Sequence, residues 1–116
     1  MITDEIRAEL FSCQDLKYRD FHSKLMPDYN KNNIIGVRSP QVRSIARAFS
    51  KREDIDEFLF ELPHKFYEES NVHGFIICGF FDYDKTVKYL NDFLPYVDNW
   101  ATCDLLKPKA FPKNKD

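Results

Sequence analysis

The amino-acid sequence predicts an all-α fold, either a compact bundle or a series of stacked helix pairs. Apolar residues recur three and four positions apart along most of the chain, which is the spacing of one helix face. Prolines and polar capping residues divide these segments into about six or seven short helices. No run of alternating apolar and polar residues with hairpin turns predicts a strand.

The first third of the chain predicts two amphipathic helices and a connection. The first helix has apolar residues four apart and a polar cap, Thr3 or Asp4. Its apolar residues are Ile2, Ile6 and Leu10. The second helix spans Leu16 to Met26, and Pro27 stops it. Its apolar residues are Leu16, Phe21 and Leu25. The segment 27–37 is rich in Asn and contains Pro and Gly, so we expect a connection.

The dipeptide Ser39-Pro40 predicts the clearest helix start. Ser can accept a hydrogen bond from a free backbone N–H, and Pro suits the first helical position. The apolar stripe of this helix is Val42, Ile45, Ala46 and Phe49. Four further helices are predicted over 54–62, 66–81, 84–94 and 98–106, the third capped by Asp84 and the fourth by Asp98. The helix over 66–81 is apolar on most of its later faces and should be central.

Length and composition predict a single domain. The chain has 116 residues, of which 43% are hydrophobic and 11 are Phe, enough to bury one core without disulfides or a metal. No apolar run reaches the ~18 residues that a membrane span needs. The amino terminus is acidic and lacks the layout of a secretion signal, so we expect a cytoplasmic protein with no membrane partner.

The net charge of −2 conceals two basic blocks. Residues 29–52 contain six basic and no acidic residues, and residues 105–116 contain four basic residues and one acidic residue. Between them, residues 53–104 contain three basic and twelve acidic residues. This distribution is compatible with a surface that binds a polyanion on an otherwise acidic body.

The cysteines and histidines do not form a recognisable site in the sequence. Cys13, Cys78 and Cys103 lie far apart, without the spacing of a zinc site, and we expect free thiols. Cys78 lies in an apolar segment and should be buried. No catalytic triad and no Gly-rich phosphate loop can be recognised.

A basic stripe is the first candidate site. Arg43, Arg47 and Lys51 are four positions apart, so they lie along one helix face, and Arg38 precedes that helix. Guanidinium groups beside a helix amino end can bind phosphates. Equally, these residues could pair with the acidic block that begins at Glu53.

A Trp and an Asp one helical turn apart are the second candidate. Trp100 and Asp104 project from the same face, where a carboxylate and an indole ring together could attract a cation. The simpler interpretation is a Trp that anchors a core or interface and an Asp in solvent.

Three motifs in a fixed order suggest a family. They are Ile35-Gly36-Val37-Arg38-Ser39-Pro40 with the following Arg43, Tyr67-Glu68-Glu69, and Asn99-Trp100-Ala101-Thr102-Cys103-Asp104. In order and spacing, over about residues 16 to 115, the chain resembles the amino-terminal half of the AlkD-type DNA alkylation repair glycosylases.

The resemblance implies a HEAT-like superhelix, here with about three stacked antiparallel helix pairs. It also implies hydrolysis of the N-glycosyl bond of N3- or N7-alkylated purines in duplex DNA, without a metal or organic cofactor. Trp100 and Asp104 would be the catalytic residues, the indole packing on the sugar and the carboxylate stabilising its positive charge. The candidates for DNA binding are Arg38, Arg43, Arg47 and Lys51.

Members of the resembled family are longer than this chain. We therefore expect residues 1–116 to form a single helical-repeat domain that is the amino-terminal part of a longer fold, truncated or naturally short, and inactive if the missing half is required. An end left exposed at Leu105, Leu106 and Phe111 could form a dimer. The alternative function is a non-catalytic repeat module that binds nucleic acid or protein through the basic 38–52 face.

Overall fold

The computed structural model describes residues 2–27, 29–97 and 106. Six α-helices and two short 3-10 helices lie within these residues, and no strand does. The α-helices are α1 (Ile2–Ser12), α2 (Leu16–Leu25), α3 (Ser39–Phe49), α4 (Ile55–Leu59), α5 (Tyr67–Cys78) and α6 (Tyr83–Phe93). The 3-10 helices are Lys31–Asn33 and Leu94–Tyr96. The all-α prediction is confirmed, while the helix predicted over 98–106 lies outside the described residues except at position 106.

Helix α5 is the centre of the fold, as predicted. Ten of its twelve residues are buried. Helix α3 packs along it more extensively than any other helix, and α1 and α6 also contact it. The apolar side chains of α5 join those of its neighbours in one core, which includes Ile6, Val42, Phe58, Val72 and Ile77. Burying such side chains contributes about 1.5–3 kcal/mol each to folding.

Helix α1 buries the three residues predicted from their spacing, Ile2, Ile6 and Leu10. The predicted cap was wrong. The helix begins at Ile2, so Thr3 and Asp4 already lie in its first turn. The Thr3 hydroxyl instead donates a hydrogen bond of 2.8 Å to the Glu61 carboxylate, which joins α1 to the segment after α4.

Helix α2 faces the fold with a different side from the one predicted. Leu16, Phe21 and Leu25 are exposed, and no residue of α2 is fully buried. The side of α2 that faces the fold carries aromatic rings with polar atoms and one arginine. The His22 ring lies 5.1 Å from that of Tyr67, and the Arg19 guanidinium donates to the carbonyl oxygens of Ile34 and Lys31 at 2.8 and 3.0 Å. The carbonyl groups of the connection after α2 need hydrogen-bond donors. The side of α2 that carries the arginine therefore packs on the fold.

Two further predicted caps were wrong. Ser39 is the first residue of α3 and its side chain makes no capping hydrogen bond, although Pro40 occupies the first turn as predicted. Helix α6 is capped by Asp82, whose carboxylate accepts from the backbone N–H of Lys85 at 3.2 Å, rather than by Asp84. Asp84 lies in the first turn, where an acidic residue favours the helix dipole without capping.

None of the helices in the described part of the chain is long and apolar enough to cross a membrane.

Candidate nucleic-acid interface

The solvent face of α3 presents a row of cations. Arg43 and Arg47 are exposed on the side of α3 opposite the buried residues Val42 and Ile45. Lys51 is also exposed but lies in the turn after Phe49, where α3 ends, so the prediction that all three cations lie along one helix was wrong for Lys51. Among the described residues, none of the three cations forms an ion pair. The acidic segment after α3 is instead contacted by Arg52, whose guanidinium pairs with Glu5 and Asp54, each at 2.8 Å. Within the described part of the chain, these three cations therefore have no acidic partner and are accessible to solvent or to a ligand.

Arg38 lies at the amino end of α3 but is held by α2. Its guanidinium carbon is 4.7 Å from the centre of the Tyr18 ring. Among the described residues, its one ion pair is a long contact of 3.4 Å with the Asp15 carboxylate. Most of the guanidinium donors remain directed to solvent, so Arg38 can still donate to a phosphate, although from a different place than the three cations of α3.

An open groove runs beside the α3 face, between α3, α5 and α6. Its volume is about 610 Å³. Its wall contains both cations and aromatic rings, among them Arg43, Arg47, Phe75, Phe80, Phe81 and Lys85. The Arg43 guanidinium carbon lies 5.2 Å from the centre of the Phe75 ring, and the Lys85 ammonium lies 4.5 Å from that of Phe80.

Among the described residues, three cations line the groove, and the one acidic residue of its lining, Asp82, is engaged in capping α6. Guanidinium and ammonium groups bind phosphates, and the faces of aromatic rings bind bases and sugars. The groove and the α3 face therefore present side chains of the kind that bind nucleic acids. Lys85 and the phenylalanines were not found from the sequence, because they come from α5, from α6 and from the loop between them.

The first resembled motif is held in place by a buried carboxylate. Glu68 is 1% exposed and accepts hydrogen bonds from three consecutive backbone N–H groups, those of Ile35, Gly36 and Val37, at 2.8, 2.9 and 3.2 Å. These hydrogen bonds satisfy both the carboxylate and the backbone just before α3. Glu68 thereby determines where α3 begins, a role that the sequence does not reveal.

Gly36 allows α2 to approach the same segment. Its φ is +95°, and a Cβ there would lie 2.6 Å from the Arg19 Cβ and 2.8 Å from the Asp15 carbonyl oxygen. The Asp15 N–H donates to the Gly36 carbonyl oxygen at 2.8 Å. Only glycine combines this backbone conformation with so close a contact.

The neighbouring carboxylate, Glu69, joins α1 to α5. Its side chain is fully buried and receives two hydrogen bonds from the Arg7 guanidinium, at 3.0 and 3.2 Å. It also accepts from the backbone N–H of Phe66 at 3.0 Å, at the start of α5. The Tyr67-Glu68-Glu69 motif thus has a structural function on both sides of α5.

Two histidines form a buried pair that the sequence did not reveal. The His64 Nε2 and His73 Nδ1 atoms are 2.9 Å apart and share a hydrogen bond. The His64 ring stacks on Phe58 and the His73 ring on Phe93, with centres 4.3 and 4.2 Å apart. Burial lowers the pKa of His64 to about 4, with a further contribution from the charge of Arg7. Burial and the neighbouring His64 lower the pKa of His73 to about 2, so both rings are neutral at physiological pH.

The second candidate pair, Trp100 and Asp104, lies outside the described residues, as do Leu105 and Phe111. Leu106 is half-buried and packs against the main core. Cys13 is a free thiol and Cys78 is buried as predicted, whereas Cys103 is outside the described residues. Within 2–27, 29–97 and 106, no three His, Cys, Asp or Glu side chains come together as a metal site would require.

Exposed cations beside a groove that contains cations and aromatic rings are features by which proteins bind nucleic acids. The family model described as DNA alkylation repair enzyme matches residues 6–113, and the chain belongs to this family. This match confirms the family that the three motifs predicted and indicates a role in DNA alkylation repair. Searches of curated proteins and of solved structures found no significant match.

Proposed function

We propose that this chain binds duplex DNA through the α3 face and the adjoining groove, and that it removes N3- or N7-alkylated purines as a DNA glycosylase. Membership of the DNA alkylation repair family supports the class of substrate. The observation that carries the proposal is the row of Arg43, Arg47 and Lys51, which has no carboxylate partner among the described residues and adjoins a groove that contains Lys85.

Binding would be dominated by phosphate contacts. Each cation that neutralises a phosphate releases counterions and makes the affinity fall with salt, by about 0.9 in the slope of log affinity against log salt. The two arginines of α3 and Lys51 just after it would thus contribute a slope of about −3. Arg38, held against Tyr18 at the end of α3, would add a contact at one side.

The chemistry would be assigned to Trp100 and Asp104. An alkylated purine carries a positive charge, so breaking its N-glycosyl bond returns the electron pair to the base and releases it as a neutral molecule. The positive charge then develops on the sugar, where the Asp104 carboxylate would stabilise it and orient the attacking water. Trp100 would pack on the sugar and add a cation–π attraction. The water oxygen bonds to the sugar carbon and releases one proton to solvent water, so the products are the neutral base, the sugar hydroxyl and a hydrated proton.

The HEAT-like arrangement belongs to the same proposal. Six helices would form three stacked pairs, with α3 on the face that contacts DNA. The alternative is a non-catalytic module that binds nucleic acid through the 38–52 face. The exposed cations of α3 favour this alternative equally, because binding through them does not require Trp100 or Asp104.

The test separates binding from catalysis. The chain is incubated with duplex DNA that contains N7-methylguanine, released base is measured by chromatography, and binding is measured by fluorescence anisotropy. We expect Asp104→Asn to abolish release and retain binding. Arg47→Glu should weaken binding, whereas Lys24→Glu, the same charge change on the exposed side of α2, should not.

Each result decides between the functions. Binding without release by the natural sequence would support the non-catalytic module. Release by Asp104→Asn at the natural rate would exclude the proposed chemistry. If neither binding nor release occurs, or if Lys24→Glu weakens binding as much as Arg47→Glu, the proposed interface is wrong.

A further inference from the structure

The cations that line the groove come from two different helices. Arg43 and Arg47 project from α3, whereas Lys85 projects from the first turn of α6. Asp82, the acidic residue of the same lining, accepts a hydrogen bond of 3.2 Å from the backbone N–H of Lys85. No carboxylate in the described part of the chain forms an ion pair with the Lys85 ammonium. A ligand in the groove therefore meets positive charge both from α3 and from α6.

The Lys85 ammonium is held in place by aromatic rings. It lies 4.5 Å from the centre of the Phe80 ring and 5.6 Å from that of the Tyr89 ring. The Tyr89 hydroxyl donates a hydrogen bond of 3.0 Å to the Asp56 carboxylate on α4, which fixes this ring. Cation–π contacts orient an ammonium group without neutralising it, and they leave N–H donors for a ligand. Lys85 thus presents an oriented, uncompensated charge at the groove.

The size of the groove limits what can lie between these cations. Its volume of about 610 Å³ is within the range of small-molecule pockets, roughly 300–1,000 Å³. A nucleotide-sized piece of one DNA backbone fits such a volume, whereas two paired strands do not.

We propose that Lys85 is a further phosphate-contacting residue, which binds from α6 the same DNA strand that Arg43 and Arg47 bind from α3. This inference rests on the proposed function and specifies its partner: one backbone of the duplex lies in the groove. Phosphates recur at every nucleotide, so a single strand can offer one to each helix. Lys51 is not among the residues that line the groove, and its contact with DNA lies outside it.

The first experiment compares two lysines of α6. Lys85→Gln and Lys88→Gln remove the same charge from one helix, and both ammonium groups lie near the Tyr89 ring, at 5.6 and 5.4 Å. Lys88 does not line the groove and has the Asp92 carboxylate 3.8 Å away. Binding of duplex DNA is measured by fluorescence anisotropy at several salt concentrations. Lys85→Gln should reduce the slope of log affinity against log salt by about 1, whereas Lys88→Gln and Lys85→Arg should leave it unchanged.

A double-mutant cycle tests whether α3 and α6 hold the same strand. If they do, removal of Arg47 or Lys85 loosens the strand at the other cation, so the two losses are not independent. The double variant Arg47→Ala with Lys85→Gln should lose at least about 3-fold less affinity than the product of the single losses. Lys51→Ala with Lys85→Gln is the control, and its losses should multiply to within about 2-fold. Because these side chains are exposed, all variants should unfold at the same temperature as the natural sequence.

The inference would be overturned, while the proposed function stands, by an unchanged slope in Lys85→Gln or by an equal decrease in Lys88→Gln. Single losses of Arg47→Ala and Lys85→Gln that multiply fully would also overturn it, because the two cations would then contact DNA independently. Failure of the natural sequence to bind duplex DNA would instead contradict the proposed function itself, so the two failures are distinguishable.

Discussion

The Glu68 carboxylate accepts a hydrogen bond of 2.9 Å from the backbone N–H of Gly36, and it thereby connects the central helix to the segment that precedes the candidate interface. The contact joins residues from two of the three motifs that indicated the family. Both motifs therefore serve to position α3, and the first also supplies Arg43, which lines the groove.

Replacement of Glu68 by Gln should destabilise the fold strongly. The amide offers one acceptor oxygen instead of two, so at least one of the three backbone N–H groups would be left without a partner in a buried position. We expect the free energy of unfolding to fall by about 2–4 kcal/mol, measured by urea denaturation. Glu57→Gln, an exposed residue of α4, is the control and should change it by less than about 0.5 kcal/mol. Equal effects in the two variants would contradict the role of Glu68.

Gly36→Ala should also be destabilising, for a steric reason. The new methyl group would meet the Arg19 Cβ at 2.6 Å, in a backbone conformation with φ of +95° that other residues rarely adopt. We expect a loss of about 2 kcal/mol or more in urea denaturation. Gly79→Ala is a matched control, because its nearest non-neighbouring atom would be 3.4 Å away and its φ is −84°. If Gly36→Ala is tolerated as well as Gly79→Ala, the close contact with α2 is not required.

The paired histidines predict a loss of stability in mild acid. Their pKa values in the folded protein, about 4 for His64 and about 2 for His73, lie below the unfolded value. Protons therefore bind the unfolded chain first, and the stability present above about pH 6.5 is lost as the pH falls. Between pH 7 and 5 each ring should lower the free energy of unfolding by about 2 kcal/mol.

The variant His64→Gln tests this assignment, because an amide can still hydrogen-bond to His73 but does not titrate. Denaturation at pH 7 and pH 5 should show a decrease that is smaller by about 2 kcal/mol than in the natural sequence. An identical decrease in both proteins would mean that the pair does not titrate as its burial indicates.

The α3 face can be tested residue by residue through salt dependence. Arg43→Ala and Lys51→Ala should each reduce the slope of log affinity against log salt by about 1, because each removes one phosphate contact. Lys24→Ala, on α2, should leave the slope unchanged. The measurement is a titration of duplex DNA at several salt concentrations. A slope that none of these substitutions alters would place DNA on another surface.

The sequence predicted those helices whose apolar residues all face one core. Helices α1, α3 and α5 are of this kind, since burial of Ile6, Ile45 or Ile76 is decided by spacing alone. The prediction failed for α2, because the side of this helix that faces the core depends on hydrogen bonds from Arg19 to carbonyl groups later in the chain. The cap of α6 was misassigned because both Asp82 and Asp84 lie near its start, and the caps of α1 and α3 because each helix begins earlier than its predicted cap allows.

The candidate site could be predicted only in part. The row on α3 follows from a spacing of four, whereas the groove requires α3, α5 and α6 to be placed side by side. Glu68 and the pair of His64 and His73 could not be recognised, because their partners are distant backbone groups or another ring. Trp100 and Asp104 remain predictions from the resemblance.

The three N–H groups bound by Glu68 belong to a connection rather than to a helix, yet they are as well buried as the core. Their exchange with deuterated solvent therefore requires α5 to separate from the connection. Amide hydrogens of loops normally exchange in local openings, but those at positions 35–37 should exchange only when the central helix is released. A slow-exchanging loop would thus mark the amino end of α3 as part of the most persistent cooperative unit of the protein.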